Sequence, residues 1–131
     1  MIGIVIVAHG GLAREYLAAL EHVVGKQNGL TAVSIGAECN REDKQAEINT
    51  AIASVDTGDG VVVVTDMFGG TPSNLAMNCC GRDDRQVLYG ANLPMLVKLA
   101  KARNRSLQVA IAKAVDAGHK YLDCAQKTAT G

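Results

Sequence analysis

At 131 residues the chain suits one domain with a core of its own, since folded chains of this size hide roughly two thirds of their extended surface. Thirteen Lys plus Arg balance thirteen Asp plus Glu without a basic run or an aromatic-interleaved basic patch, so nucleic acid is not an expected partner. Apolar runs fall well short of the roughly 20 residues of a membrane span, and no basic stretch precedes an apolar signal core, so a cytoplasmic location is expected.

Hydrophobic residues make up 48% of the chain, with one Phe and no Trp, which predicts the aliphatic core common in α/β proteins. Residues Met1 to Ala8 (MIGIVIVA) form an unbroken β-branched run, the pattern of a strand covered on both faces, and the run stops at His9-Gly10-Gly11. Leu12, Tyr16, Leu17, Leu20, Val23 and Val24 then follow helical spacing up to Gly25. A shorter strand is predicted over Leu30 to Ile35. Asn40 can cap a helix from Arg41 to about Ser54 that turns Ile48, Ala51, Ile52 and Val55 inward.

Val61 to Thr65 (VVVVT) is apolar at odd and even positions alike and predicts an interior strand. Asp66-Met67-Phe68-Gly69-Gly70 follows, then a helix opened by Pro72, with Thr71 or Ser73 as its cap and Leu75, Ala76, Cys79 and Cys80 as its stripe. Gln86 to Tyr89 predicts a further strand. A Pro94-initiated helix comes next, then a last helix capped by Ser106, running from Leu107 to Ala117 and closed by Gly118. Lys120 to Cys124 is an expected edge or exchanged strand, and residues 126–131 an expected flexible tail. Strand–helix alternation with short loops implies an open, mostly parallel sheet flanked by helices. The four cysteines, Cys39, Cys79, Cys80 and Cys124, lack CxxC or Cys/His metal spacing and read as reduced, mostly buried thiols; no metal or cofactor is expected.

In such sheets chemistry gathers outside the C-terminal strand ends, where His9, Asp66 and Asn92 all fall. His9, flanked by Ala8 and two glycines, reads either as a nucleophile with an open ring nitrogen or as a turn histidine bonded to a carbonyl. Asp66 reads as a turn-forming residue or as the acceptor of His9 Nδ1–H, which would leave Nε2 with its lone pair outward. Gly69, Gly70 and Thr71 at a helix start, with the Ser73 hydroxyl, can cradle a tetrahedral oxyanion. Met67, Phe68, Leu93 and Met95 are core candidates by default, or with Asn92 form a docking rim for a protein partner. His22 and His119 read as surface residues. A nucleotide or phosphate-ester binding domain without covalent chemistry is a weaker alternative, since no G-x-G-x-x-G or Walker pattern is present.

Three stretches in this order and spacing carry a resemblance: Ala8-His9-Gly10, the run Asp66-Met67-Phe68-Gly69-Gly70-Thr71-Pro72-Ser73-Asn74, and Gly90-Ala91-Asn92-Leu93-Pro94-Met95-Leu96. Over almost its whole length the sequence resembles enzyme IIA of the mannose family of the bacterial phosphoenolpyruvate-dependent sugar phosphotransferase system (PTS). The resemblance implies a doubly wound fold. It also implies that His9 accepts a phosphoryl group at Nε2 from the phosphocarrier protein HPr and passes it to an enzyme IIB. Asp66 would orient His9, and Thr71 would hydrogen-bond the phosphoryl oxygens. A homodimer with an exchanged C-terminal strand is a further implication, which would give Lys120 to Cys124 its role. With no fused IIB region after the IIA-type region, the expectation is a phosphocarrier for a separate IIB, linked to the membrane only through a permease complex. A regulatory module controlled by His9 phosphorylation is the alternative, as is the phosphoryl-transfer subunit of a dihydroxyacetone kinase, although DMFGGTPSN fits the mannose type better.

Overall fold

Strands that lack a polar face have to be covered on both sides, and that requirement organises the chain. In the computed structural model, which describes residues 1–126, the elements are β1 (Gly3–His9), α1 (Leu12–Val24), β2 (Leu30–Ile35), α2 (Arg41–Val55), β3 (Val61–Thr65), α3 (Thr71–Cys79), β4 (Arg85–Tyr89), α4 (Leu93–Lys101) and α5 (Leu107–Lys120). The strands form one sheet in the order β2-β1-β3-β4, every neighbouring pair parallel. Ile2, Ile4, Ile6, Val62 and Val64 pack under α1, α4 and α5, whereas Val5, Val7, Val61 and Val63 pack under α2 and α3. Each of these nine side chains is fully buried, which is why neither run alternates with polar residues. The fold is the expected α/β architecture with helices on both faces.

The order of winding positions the site. From β1 the chain moves outward to β2, then returns past β1 to β3, so the direction of winding reverses between β1 and β3. Val7 stands opposite Thr65 in the parallel register, and the residues that follow, His9 and Asp66, therefore leave the sheet side by side. At the opposite end of the sheet Arg103, 3% exposed, ties three segments together. Its Nε donates to the Ile2 carbonyl (2.7 Å), Nη2 to the Gly29 carbonyl (2.8 Å) and Nη1 to Gln27 Oε1 (3.2 Å).

Three of the helix starts carry side-chain caps, of which Asn40 and Ser106 were read from sequence. Asn40 Oδ1 accepts from Asp43 N–H, Asn92 Oδ1 from Met95 N–H and Ser106 Oγ from Val109 N–H. The C-terminal end of the chain differs from expectation. Gly118 does not stop α5 but lies buried inside it, where its missing side chain lets α5 approach α4: a Cβ there would stand 3.3 Å from Met95 Cβ and 3.6 Å from Asn92 Oδ1. Asn92 Nδ2 donates to the Gly118 carbonyl at 2.9 Å, so the same asparagine caps one helix and holds the next. Lys120 closes α5, residues 121–124 form no strand within this chain, and of the predicted tail residues 127–131 lie outside the described part. Among the described residues no helix is long and apolar enough to cross a membrane.

The α4–α5 contact leads to a stability prediction. Gly118→Val should lower unfolding free energy by about 1–3 kcal/mol through overpacking against Met95, read as a lower urea midpoint with an unchanged slope.

Candidate active site

His9 is the last residue of β1, and the Gly10 that follows adopts φ 55°, a left-handed conformation that turns the chain out of the strand. Its ring is 49% exposed, and Nδ1 lies 2.8 Å from Asp66 Oδ2. The same carboxylate oxygen accepts the His9 backbone N–H at 3.0 Å, while Oδ1 accepts the Met67 N–H at 3.0 Å. Asp66, with a side chain 10% exposed, is thus fixed by backbone as well as by the imidazole. Burial alone would push its carboxyl pKa up. The His9 backbone N–H, the His9 ring and the Met67 N–H together outweigh burial and hold the carboxyl below the ordinary aspartate range. An ionised acceptor at Nδ1 selects the tautomer with the proton on Nδ1 and leaves the Nε2 lone pair free.

Gly70 lies against that free edge of the ring. A Cβ built there would stand 3.0 Å from His9 Cε1 and 3.2 Å from Nε2. Gly70 is also the N-cap of α3, with no side chain bonded to the helix start. Among the described residues the backbone N–H groups of Gly70, Thr71 and Ser73 have no acceptor, and the Thr71 hydroxyl has no hydrogen bond. Free donors and a helix dipole therefore converge beside Nε2, an arrangement that favours an anion.

Ser73 has another job than the one expected of it. Its hydroxyl is fully buried, accepts from Gly69 N–H at 2.8 Å and donates to the Gly70 carbonyl at 3.1 Å. It shapes the glycine turn from inside, and with both roles occupied it is not a side-chain donor to an oxyanion. Gly69, at φ 96°, supplies the left-handed residue of that turn.

The rim divides in a similar way. Met67 and Phe68 are exposed, and the Phe68 ring packs on the exposed Tyr89 ring with centroids 4.8 Å apart. Met95 is 4% exposed and belongs to the core beneath α4, since it is an apolar residue on the buried face of the first turn of that helix; it is not available for docking. Asn92 is half-buried with its amide committed to Met95 N–H and the Gly118 carbonyl, and Leu93 is half-buried. Tyr16, which sequence spacing placed among apolar positions, reaches the same region with its hydroxyl, which donates to the Ala91 carbonyl at 3.0 Å. No spacing rule distinguishes that hydroxyl from an ordinary apolar-stripe tyrosine. His22 and His119 are exposed, and His119 lines the groove beside Tyr89, Gly90 and Asn92. Among the described residues no group of three or more His, Cys, Asp or Glu side chains could hold a metal ion.

A family model described as the PTS system fructose IIA component matches residues 3–116. The chain belongs to the EIIA-man family. It is 32% identical over 122 residues to the mannose-specific EIIAB component of the PTS of Escherichia coli, covering 91% of this chain but 38% of that protein. The crystal structure of phosphotransferase system component EIIA from Streptococcus agalactiae superposes with a TM-score of 0.86 at 26% identity, covering 100% of both chains. The mannose/sorbose-specific IIA subunit from Enterococcus faecalis gives 0.83 at 26% identity, covering 93% of this chain and 92% of that one. EIIA-man proteins are phosphotransferase components of sugar uptake.

The depressed Asp66 pKa has a consequence for stability. Because the folded value lies below the unfolded one, Asp66 stabilises the fold fully above the unfolded-chain pKa, and this contribution disappears as pH falls through the folded value. Asp66→Asn should therefore cost about 1–2 kcal/mol near neutral pH and almost nothing in strongly acid solution, as measured by denaturant unfolding at both pH values.

Proposed function

We propose that this EIIA-man chain is a phosphocarrier in which His9 Nε2 accepts a phosphoryl group from phospho-HPr and delivers it to an enzyme IIB. The observation that carries the reading is the division of labour on one imidazole: Nδ1 is engaged by an ionised Asp66, and Nε2 faces the uncapped start of α3. The Nε2 lone pair attacks phosphorus in line with the bond to the donor histidine. As the new N–P bond forms the donor's N–P bond breaks, and its electron pair returns to the donor ring. The Nδ1 proton stays on His9, so the ring becomes cationic beside the Asp66 carboxylate. The N–H groups of Gly70, Thr71 and Ser73 and the Thr71 hydroxyl bind the phosphoryl oxygens. Transfer to IIB runs the same steps with His9 as donor.

Met67 and the Phe68–Tyr89 pair form the apolar docking surface next to the histidine, where each partner has to bring its own reactive group. We assign the protein to the cytoplasm, in keeping with carriers that meet a permease only through IIB. A homodimer is the proposed assembly. Its support is the outer edge of β4, which pairs with no strand among the described residues, and the adjoining groove of about 590 Å³ lined by Leu88, Tyr89, Met95, Val115 and Leu122. A strand donated by the C-terminal segment of a second copy would cover both. The relatives belong to fructose, mannose and mannose/sorbose systems, so the route served is proposed to be uptake of a sugar of that class.

Incubation with phosphoenolpyruvate, enzyme I and HPr should add one acid-labile phosphoryl group per chain, and His9→Gln should take up none. Equal labelling of that variant would rule out His9 as acceptor. Gly70 has an extended backbone (φ −91°) that any residue adopts, so Gly70→Ala acts through bulk at Nε2 alone. Its phosphorylation should be slower by about tenfold or more with the fold retained, measured by quenched-flow labelling and circular dichroism.

A further inference from the structure

We propose that Tyr16 is a positioning residue for the His9–Asp66 pair, acting through the Ala91 peptide groups; the inference rests on the phosphocarrier reading of that pair. Tyr16 sits on α1, directly after the strand that carries His9. Its hydroxyl crosses to the loop between β4 and α4 and donates to the Ala91 carbonyl at 3.0 Å. The Ala91 N–H in turn donates to the Thr65 carbonyl at 3.1 Å, and that carbonyl belongs to the peptide that joins Thr65 to Asp66. Two hydrogen bonds therefore connect the helix behind His9 to the backbone that sets the height of Asp66 above the sheet.

The link adds a tie on the β4 side to the bonds that the Asp66 carboxylate makes with His9 and Met67. The last β3–β4 pairing is Thr65 with Tyr89, and the last β1–β3 pairing is Val7 with Thr65, so Asp66 is already beyond the sheet ladder. Thr65 is fully buried and its own hydroxyl has no partner, leaving the carbonyl contact from Ala91 as the tie on that side. The Tyr16 ring packs against the core formed under α1 and α4, which makes it a stiff strut rather than a mobile surface group. Tyr16 also senses the site electrostatically. Burial first, and the Asp66 charge second, push its phenol pKa up, so the hydroxyl keeps its proton for Ala91. Tyr16, Ala91 and Thr65 are not among the groups of the cradle at Gly70 and Thr71, which separates this chain of bonds from it.

Tyr16→Phe removes the hydroxyl and keeps the ring that packs. With imidazole-15N-labelled protein at a pH where the ring is neutral, the wild-type His9 signals should report the Nδ1–H tautomer. In Tyr16→Phe they should shift toward the Nε2–H form as Asp66 loses its fixed height, while the signals of His22 and His119 stay in place. Transfer from phospho-HPr should slow by about tenfold through kcat, with KM for the donor unchanged. Unchanged His9 signals in Tyr16→Phe would overturn the proposal, as would a shift shared by all three histidines together with a collapsed thermal transition, which would mark general loosening. The tautomer comparison does not depend on phosphotransfer. If wild-type protein took up no phosphoryl group the phosphocarrier reading would fall, and the His9 signals would still decide the role of Tyr16.

Discussion

The 2.8 Å contact between His9 Nδ1 and Asp66 Oδ2 joins residues 57 apart in sequence, and much of the structure serves to bring those two atoms together. It needs β1 beside β3, where the winding of the sheet reverses, and it needs their register to be correct to one residue. A slip of one position would turn every valine in β3 to the opposite face and carry Asp66 away from the histidine. The fully buried valines and isoleucines on both faces of these two strands are thus the means by which the dyad is held. A hydrogen bond that exposed to solvent on one side would be weak as a tether; backed by two packed strands, it can fix the tautomer of the ring.

How the carboxylate is held has a chemical consequence. Asp66 receives two backbone N–H groups besides the imidazole, so its charge persists when the ring changes state. A carboxylate bound by the histidine alone would be coupled to the ring's own proton, and its burial would favour the neutral acid. Here the fixed dipoles of the backbone perform the stabilisation in advance, and in the proposed transfer the cationic ring would meet a counter-charge already in place. On the other side of the same ring, the glycine at position 70 leaves Nε2 uncovered.

Much of this was readable from sequence, and the part that was not has physical reasons. Unbroken apolar runs at residues 1–8 and 61–65 identified doubly covered strands, and Asn40 and Ser106 as caps set the starts of their helices. The meeting of His9 and Asp66 followed from their places at strand ends. What failed depended on side-chain direction. Ser73 and Thr71 are equally plausible hydroxyls at a helix start, and burial directs Ser73 inward to Gly69 and Gly70. Met95 follows a proline at the rim, yet the first turn of α4 directs it into the core. Gly118 looks like a stop signal, but a glycine in a helix interior is spelled the same way and serves close packing with α4. The hydroxyl of Tyr16 was hidden within an apolar stripe, because periodicity registers the ring and not the group at its tip.

The central claim is that Asp66 occupies Nδ1 so that phosphorus is carried on Nε2 of His9. The most direct measurement is the nitrogen–phosphorus coupling pattern of phosphorylated protein labelled with 15N in its imidazoles. The account predicts a single phosphohistidine in which Nε2 of His9 is coupled to phosphorus and Nδ1 retains its proton. Phosphorus on Nδ1, or on a residue other than His9, would contradict it.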